Sequence, residues 1–257
     1  MKNEKGQVAI FVIIAIAIVA VVLVVFLFPK IDVFGGADVN PSSYLSKCVE
    51  PEVEEILDVV TKQGGYSEPF VSIKYMDEDI QYLCYNAEEY EPCIVQQPLL
   101  VNHVEGEIKD YIEPKAIKCM DELKSEYERK GYRVQAGSGE IDVDIVPGSI
   151  AIDFISPMTI EREGNTQNFE KFAIGLDSEL YNLLMTAVSI IDFESTLGDS
   201  ETTLYLQYYP DLKIDKTRRD DGSTIYKLSN VVTGDEFTFA TRSLIWPEGY
   251  GLEKYYV

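Results

Sequence analysis

The chain has 257 residues, and its 44 acidic against 22 basic side chains give a formal net charge of −22. Because such a chain repels a phosphate backbone, a nucleic-acid partner is disfavoured. A hydrophobic content of 46% and an aromatic content of 11% exclude a disordered acidic tail and allow one or two domains, each with a core.

The first predicted element is a transmembrane helix. The 22 residues from Gln7 to Phe28 contain no charge, proline or glycine, and as a helix they would extend over about 33 Å, which matches a bilayer core. Lys2 and Lys5 precede this segment and favour an N-in, C-out orientation. We therefore expect a hydrophobic helix over residues 7–29, a linker over residues 30–42 and an extracellular remainder.

Three interpretations fit this apolar segment: an uncut signal anchor, a cleaved secretory signal, and a class III signal peptide. Gly35-Gly36-Ala37 offers small residues for secretory cleavage, but the apolar run exceeds the about 7–15 residues of a usual hydrophobic region. Lys5-Gly6-Gln7, directly before the apolar run, resembles the class III signal peptides of archaeal type IV pilin-like proteins. In that family a membrane peptidase cuts after the small residue, and the retained apolar segment packs in a filament core.

This resemblance implies roles for residues at the N-terminus. Lys5, Gly6 and Gln7 would form the processing site at the end of a cytoplasmic leader over residues 1–6. The glutamate that bacterial pilins carry five residues into the mature chain is replaced by Phe11. The implied partners are other copies of the chain, the membrane, a prepilin-type peptidase and an assembly platform. The membrane and assembly helix would use the apolar residues Val8, Phe11, Ile14, Val19, Val22, Phe26 and Phe28.

A second resemblance extends over most of the remaining chain. Its motifs are Lys5 to Val8, Cys48-Val49-Glu50, Gln63-Gly64-Gly65-Tyr66 and Cys119. They are similar to a family of anchored surface proteins that is abundant in small-genome archaea of the nanoarchaeal and woesearchaeal kind. The resemblance implies a location at the cell surface and a pilin-like role, and it implies no chemistry.

Residues 43–131 are predicted to form a helix-rich subdomain with a β-hairpin. A helix should begin near Ser42 or Ser43, either of which can cap it, and end at Gly64-Gly65, with Pro51 kinking it or marking its first turn. Residues 71–75 and 80–85 should form two strands around an acidic turn. Residues 98–130 have a helical pattern that Pro114 should split or bend. The first helix has the apolar face Leu45, Cys48, Val49, Val53, Ile56, Leu57 and Val60.

Residues 132–257 change to an apolar period of two, which predicts a β-rich subdomain with one helix. Residues 140–146 and 149–155 should form a hairpin, and residues 158–162 should pair with 169–176 across Gly164-Asn165. The helix should begin at Asp177 or Ser178 and end near Phe193. Its buried stripe is predicted to be Leu180, Leu183, Leu184, Ala187, Val188 and Ile191. Further strands are predicted over 203–209, 223–229 and 236–246.

The predicted fold class is therefore α+β. It consists of an N-terminal hydrophobic helix of the transmembrane or pilin type, followed by an extracellular domain of helices packed on antiparallel β-sheet.

The four cysteines can pair in three ways, and an extracellular location allows disulfides. Cys48 and Cys119 both lie at helical spacing among apolar residues, so we favour a bond between them. Cys84 and Cys93 would then close a short local loop. Four buried free thiols are the alternative, and a zinc site is less suited because no Cys-x-x-Cys pair occurs.

The polar residues predict no catalytic site. His103 lies in a helical pattern without a nucleophile motif, so a partly buried structural histidine is expected. Asp77, Asp79, Asp220 and Asp221 are the best acidic candidates for calcium, but their spacing fits no EF-hand, and a solvated surface explains them more simply. No P-loop, Rossmann or hydrolase signature occurs, and we expect neither a cofactor nor an enzyme.

The sequence thus predicts a structural subunit of an archaeal cell-surface filament that assembles through its N-terminal hydrophobic helix. It would be inserted in the cytoplasmic membrane before assembly and extracellular afterwards. The alternative is a permanently membrane-anchored extracellular binding or adhesion protein, and an extracellular enzyme comes third.

Overall fold

A computed structural model describes residues 40–137 and 139–244 of the chain. From Pro41 onward the described residues belong to one compact unit. Within them the chain forms four helices: α1 (Pro41–Lys62), α2 (Leu100–Arg129), α3 (Leu180–Leu197) and α4 (Thr203–Tyr208).

Twelve strands accompany these helices in the described part of the chain. The first six are β1 (Ser72–Tyr75), β2 (Glu78–Tyr85), β3 (Ile94–Val95), β4 (Arg133–Ala136), β5 (Glu140–Val146) and β6 (Ser149–Ile155). The others are β7 (Met158–Arg162), β8 (Asn165–Phe169), β9 (Phe172–Asp177), β10 (Leu212–Arg218), β11 (Ser223–Asn230) and β12 (Glu236–Arg242). The sequence patterns leave β3, β4, β8 and β10 unpredicted.

The strands form three sheets. The main sheet has the order β1-β2-β12-β11-β10 with β3 paired to β2, and the smaller sheets are β4-β7-β8 and β5-β6-β9. The prediction of a purely antiparallel arrangement needs one correction, because β12 and β2 pair in parallel. Parallel neighbours require a long connection, and here the chain between the two strands contains α2, α3 and the two smaller sheets. The pairing therefore closes the fold between distant parts of the sequence.

Helices α1 and α2 pack against each other through one apolar stripe each. On α1 the buried residues recur at three- and four-residue steps from Leu45 to Val60, as the periodicity predicts. On α2 the stripe continues from Leu100 to Tyr127 without interruption. Of the split or bend predicted at Pro114, the split is wrong, because α2 is one helix of 30 residues that contains this proline. Proline has no N–H, so the backbone carbonyl one turn before Pro114 lacks its helical donor. Because Pro114 is exposed, water can donate a hydrogen bond to that carbonyl instead.

The hairpin of β5 and β6 has the predicted register, with Val146 opposite Ser149. In the second predicted hairpin, the strand that pairs with residues 158–162 was assigned wrongly. Strand β7 pairs with β8 across Glu163-Gly164, and β9 pairs with β6. Both turn residues have positive φ, 52° and 83°, which is the backbone of the tight two-residue hairpin turn. This turn joins β7 to the polar residues 165–169 and leaves the apolar strand β9 free to pair elsewhere.

Helix α3 buries the predicted stripe except for Val188, which is half-buried, and Ile190 and Glu194 are buried as well. The strand predicted over residues 203–209 is wrong, because residues 203–208 form the helix α4. An alternating pattern is a weak signal, because strand preference depends on finding a pairing partner, and residues 203–208 pair with no strand in the described part of the chain.

The predicted fold class also needs correction at its N-terminal element. Among residues 40–137 and 139–244, no helix combines the length and the apolarity needed to cross a membrane, because these helices are amphipathic. The helix predicted over residues 7–29 lies outside the described residues. What the structure shows is an α+β domain with helices packed on mixed and antiparallel sheets.

Candidate functional site

Two disulfides cross-link the domain. Cys48–Cys119 joins α1 to α2 with 6.1 Å between the Cα atoms, and Cys84–Cys93 closes a short loop after β2 with 5.3 Å. These are the two pairs that the sequence favours, and none of the four cysteines is a free thiol. Disulfides of this kind are typical of proteins in oxidising compartments.

The acidic residues proposed for calcium lie in two different hairpins. Asp77 lies in the β1–β2 turn with φ of 70°, and Asp79, two residues further on in β2, pairs with Lys74 at 2.9 Å. Asp220 and Asp221 lie in the β10–β11 turn, where the Asp221 carboxylate accepts the backbone N–H of Ser223 at 2.9 Å. In the described part of the chain, no group of three or more His, Cys, Asp or Glu residues is placed to hold a metal ion.

His103 lies on α2 in a packed environment. The centroid of its ring is 4.0 Å from the ring centroid of Tyr66, and its Nε2 is 3.7 Å from a carboxylate oxygen of Glu107. Burial lowers the pKa of His103, and the Glu107 charge and a hydrogen bond to the Gly65 backbone oppose this shift. The Glu107 carboxylate already accepts the N–H of Ser67 at 2.9 Å and its hydroxyl at 2.5 Å. The contacts suit a structural histidine that helps to attach α2 to the segment after α1.

The residues assigned to processing and assembly are not part of the described structure. Lys5, Gly6 and Gln7 lie outside the described residues, and so does the whole apolar set from Val8 to Phe28. Their proposed roles therefore stay predictions from the sequence.

A groove between α3 and α4 is the best candidate for a binding site in the described domain. It has a volume of about 480 Å³, which falls within the range of small-molecule sites. Its apolar walls are formed by Leu183, Met185, Tyr205, Tyr209, Pro210 and Leu212. Polar side chains also line it, namely Glu179, Asn182, Thr186, Ser189, Asp211 and Asn230. We call this site the α3–α4 groove.

Local hydrogen bonds hold the walls of the α3–α4 groove in place. The hydroxyls of Tyr205 on α4 and Ser189 on α3 lie 2.8 Å apart and bond to each other. The Asp211 carbonyl accepts the N–H of Val231 at 2.8 Å, which ties the segment after α4 to the β11–β12 turn. Leu212 pairs with Asn230 at the start of the β10–β11 ladder. Three elements distant in sequence thus converge on one groove.

The lining of the α3–α4 groove carries negative charge. Glu179 and Asp211 are its charged side chains, and no lysine or arginine of the described residues lines it. Asn182 donates a hydrogen bond to the Glu179 carboxylate at 2.6 Å. The Asp211 carboxylate makes no hydrogen bond or ion pair with another described residue. An anionic ligand is therefore disfavoured, whereas a neutral or cationic one is accommodated.

Exposed apolar side chains extend the groove along the surface. Helix α4 buries none of its residues, and Tyr208 and Leu204 are 77% and 54% exposed. Phe193 on α3 is 40% exposed and lines an adjoining cavity with Leu204 and Tyr208. Neighbouring exposed apolar side chains of this kind make the surface a candidate contact site.

The buried face of α3 carries an ionisable pair behind the groove. Glu194 is 2% exposed, and its carboxylate accepts the Tyr226 hydroxyl and, at 3.2 Å, the N–H of Ser200. Burial raises the pKa of Glu194 more than these two hydrogen bonds lower it. Burial also raises the pKa of Tyr226, and the nearby Glu194 charge adds to that shift. The pair attaches α3 to β11 and does not line the groove.

Sequence reasoning missed the α3–α4 groove for a definable reason. Assigning residues 203–209 to a strand placed their tyrosines and leucines on a sheet instead of beside α3. The available signal was a second apolar series on α3, Met185, Phe193 and Leu197, which lies outside the predicted buried stripe. A helix with apolar residues on two faces can bury one face in the core of the domain. The other face is then covered only by a further contact.

No family model matches the chain, and no curated protein or solved structure is significantly similar to it.

Proposed function

We propose that the protein is a structural subunit of a cell-surface filament of the type IV pilin-like kind. The order of its N-terminal sequence carries the proposal: Lys5-Gly6-Gln7 is followed directly by an apolar segment without a charge. This order suits a peptidase cut after Gly6, after which copies of the apolar segment pack together in a filament. The domain that begins at Pro41 would form the outer layer, and no catalysis is required.

The disulfides support an extracellular position for the domain. Both bonds would be reduced in most cytoplasmic environments, whereas they persist outside the cell. Cys48 also lies early in α1. A mechanical force applied to the chain before Pro41 would therefore be transmitted to α2 through the Cys48–Cys119 disulfide. A domain attached to its filament or membrane by one segment would benefit from such a bond near the point of attachment.

The net charge of the chain supports assembly through the apolar segment from Gln7 to Phe28. With a net charge of −22, the charged surfaces of two copies repel each other, so they favour solubility over association. Packing of the neutral segment from Gln7 to Phe28 would bring copies together without this repulsion. The acidic domains would then remain hydrated on the outside.

The N-terminus of protein recovered from the cell surface tests the proposal. We expect sheared surface material to contain filaments in electron micrographs and to begin at Gln7 by mass spectrometry. Gly6→Val should block the cut and abolish filaments, while the matched variant Gly36→Val, which changes a glycine after the apolar segment, should leave both unchanged. Recovery of only Met1-containing protein from the membrane fraction, with no filaments, would contradict the proposal.

A second candidate function is an extracellular binding or adhesion protein that stays anchored permanently. The α3–α4 groove favours it, because open apolar walls and the carboxylate of Asp211, which has no partner among the described residues, suit a ligand. Under this alternative Met1 would be retained and filaments would be absent. The same mass determination therefore separates the two candidates.

A further inference from the structure

The walls of the α3–α4 groove suit a ligand with flat apolar faces. Tyr205 and Tyr209 line the groove with Pro210 and Leu212, so rings and a proline form much of the apolar surface. An aromatic ring presents a broad rigid surface that buries much area with little loss of side-chain freedom. The C–H face of a pyranose sugar is flat, apolar and of matching size.

The polar lining of the groove suits a ligand with many hydroxyl groups. The Asp211 carboxylate has no hydrogen-bond partner among the described residues, so it can accept hydroxyl protons. Thr186 donates its own hydroxyl proton to the Asn182 carbonyl at 2.8 Å, so its oxygen still has lone pairs to offer. Glu179 has a second carboxylate oxygen beyond the one that Asn182 occupies. These groups can bond to hydroxyls that point away from an apolar sugar face.

The charge of the groove restricts the class of sugar. Glu179 and Asp211 lie in the lining, and within residues 40–137 and 139–244 no basic side chain lies there to offset them. A sulfate, phosphate or uronic-acid group would meet like charge at short range, which costs affinity. An uncharged sugar avoids this repulsion and keeps the contact with the rings.

The groove is also formed before any ligand arrives. The bond between Tyr205 and Ser189 fixes α4 against α3, and the Asp211 backbone is tied to Val231. A backbone that is already held in place loses little entropy when a ligand binds. A preformed site of this kind can bind a weakly interacting ligand such as a sugar.

We propose that the α3–α4 groove binds a neutral oligosaccharide, with Tyr209 stacking on a sugar ring and Asp211 accepting its hydroxyl protons. The inference names the ligand class for the second candidate function and rests on that function for the biological source of the sugar. Binding itself depends only on the groove. Absence of filaments would therefore leave this proposal intact, and absence of sugar binding would leave filament assembly intact.

The test is a titration of the full-length chain, kept in solution by a detergent that has no sugar headgroup. Calorimetry and saturation-transfer NMR would measure binding of oligomers of glucose, mannose, galactose and N-acetylglucosamine. We expect at least one of them to bind below about 10 mM, the weak range typical of small open sites. Oligogalacturonate, which differs from the galactose oligomer by its carboxylates, should bind about tenfold more weakly or not at all.

Matched variants assign the binding to the groove. Tyr209→Ala should weaken it by about tenfold through loss of the stacking ring. Tyr208→Ala should leave it unchanged, because Tyr208 is the adjacent tyrosine and lines the adjoining cavity instead. Should Tyr209→Ala fail to fold, Asp211→Asn keeps the side-chain shape and should also weaken binding about tenfold, because a charged acceptor is lost.

Four outcomes would overturn the proposal. The first is that no neutral oligomer binds at about 10 mM, and the second is that Tyr209→Ala and Asp211→Asn both bind as the parent does. The third is that oligogalacturonate binds as tightly as the galactose oligomer. The fourth is that an oligolysine peptide, or a second copy of the chain detected by sedimentation, occupies the groove in place of any sugar.

Discussion

The helix pair α1–α2 and the helix pair α3–α4 are both amphipathic, yet they cover their apolar residues differently. On α1 and α2 each apolar stripe faces the partner helix or a sheet, and a disulfide joins the pair. On α3 one stripe is buried while Phe193 and Leu197 stay exposed, and α4 buries no residue. The first pair therefore stabilises the fold, and the second leaves apolar surface available for contact.

The largest effect should come from breaking the covalent link in the first pair. Replacing both residues by alanine, Cys48→Ala with Cys119→Ala, opens a loop of sequence separation 71 and should lower the free energy of unfolding by about 4 kcal/mol. Urea unfolding under oxidising conditions would measure it. The control Cys84→Ala with Cys93→Ala opens a loop of separation 9 and should cost about 2.5 kcal/mol. An equal or larger loss for the short loop would contradict the expectation.

The next largest effect should be a difference in stability between substitutions on the buried and the exposed face of α3. Leu184 is fully buried, so Leu184→Ala should lower the free energy of unfolding by about 3 kcal/mol through lost burial and a cavity. Phe193 is on the exposed side, and Phe193→Ala should cost less than about 1 kcal/mol although a larger side chain is removed. Chemical unfolding curves of the two variants give the comparison. Similar losses would mean that the exposed face also belongs to the core.

A smaller effect concerns pH and the buried pair behind α3. Because burial raises the pKa of Glu194 above its ordinary value of 4.5, the folded state holds this proton more tightly than the unfolded state. The contribution of Glu194 to stability is thus fully present below pH 4.5 and is lost as the pH rises through the raised pKa. Glu194→Gln keeps an acceptor for the Tyr226 hydroxyl and removes the titration. The stability of this variant should fall less than that of the parent between acidic and neutral pH, which urea unfolding at several pH values would measure.

An exposed carboxylate whose pKa is shifted in the opposite direction provides the control for this pH dependence. Hydrogen bonds from Thr203 lower the pKa of Glu201, so its contribution is present above the unfolded pKa and is lost as the pH falls. Glu201→Gln should therefore change the pH profile of unfolding in the other direction. Parallel profiles for Glu194→Gln and the parent would show that the buried proton is not retained in the folded state.

The smallest effect should be local to α4. Tyr205→Phe removes only the bond to Ser189, which should cost about 0.5–1 kcal/mol. Because α4 buries no residue, the loss should appear as faster amide hydrogen exchange in Thr203–Tyr208, with little change in global unfolding. Tyr208→Phe is the matched control, and it should leave the exchange rates of α4 unchanged. Equal exchange in Tyr205→Phe and the parent would show that other contacts hold α4.

Periodicity predicted the elements whose partners lie close in sequence. The stripe from Leu45 to Val60 gave α1 because one face of a helix must be buried, and the alternation around Pro147-Gly148 gave the β5–β6 hairpin. Pro114 was misleading, because a proline on the exposed side of a long, well-packed helix costs too little to end it. The partner of β7 was wrong because the turn at Glu163-Gly164 was not recognised.

The candidate site was far less predictable than the helices. The apparent alternation over residues 203–209 favours a strand, whereas the structure places residues 203–208 in the helix α4 beside α3. Tyr209, Asp211 and Asn230 then meet α3 because the β10–β11 ladder brings Leu212 opposite Asn230. No local pattern contains that information, because the residues contact through pairing over distance.

The sequence alone determined the acidic character, the amphipathic helices, the local hairpin and the chemical feasibility of disulfides, since each depends on composition or on neighbours a few residues apart. Only the tertiary structure decided the parallel pairing of β12 with β2, the helical state of residues 203–208 and the groove beside α3. These depend on which surfaces meet after the chain has folded. Burial and pairing between distant segments outweigh the small differences in local preference that a sequence pattern expresses.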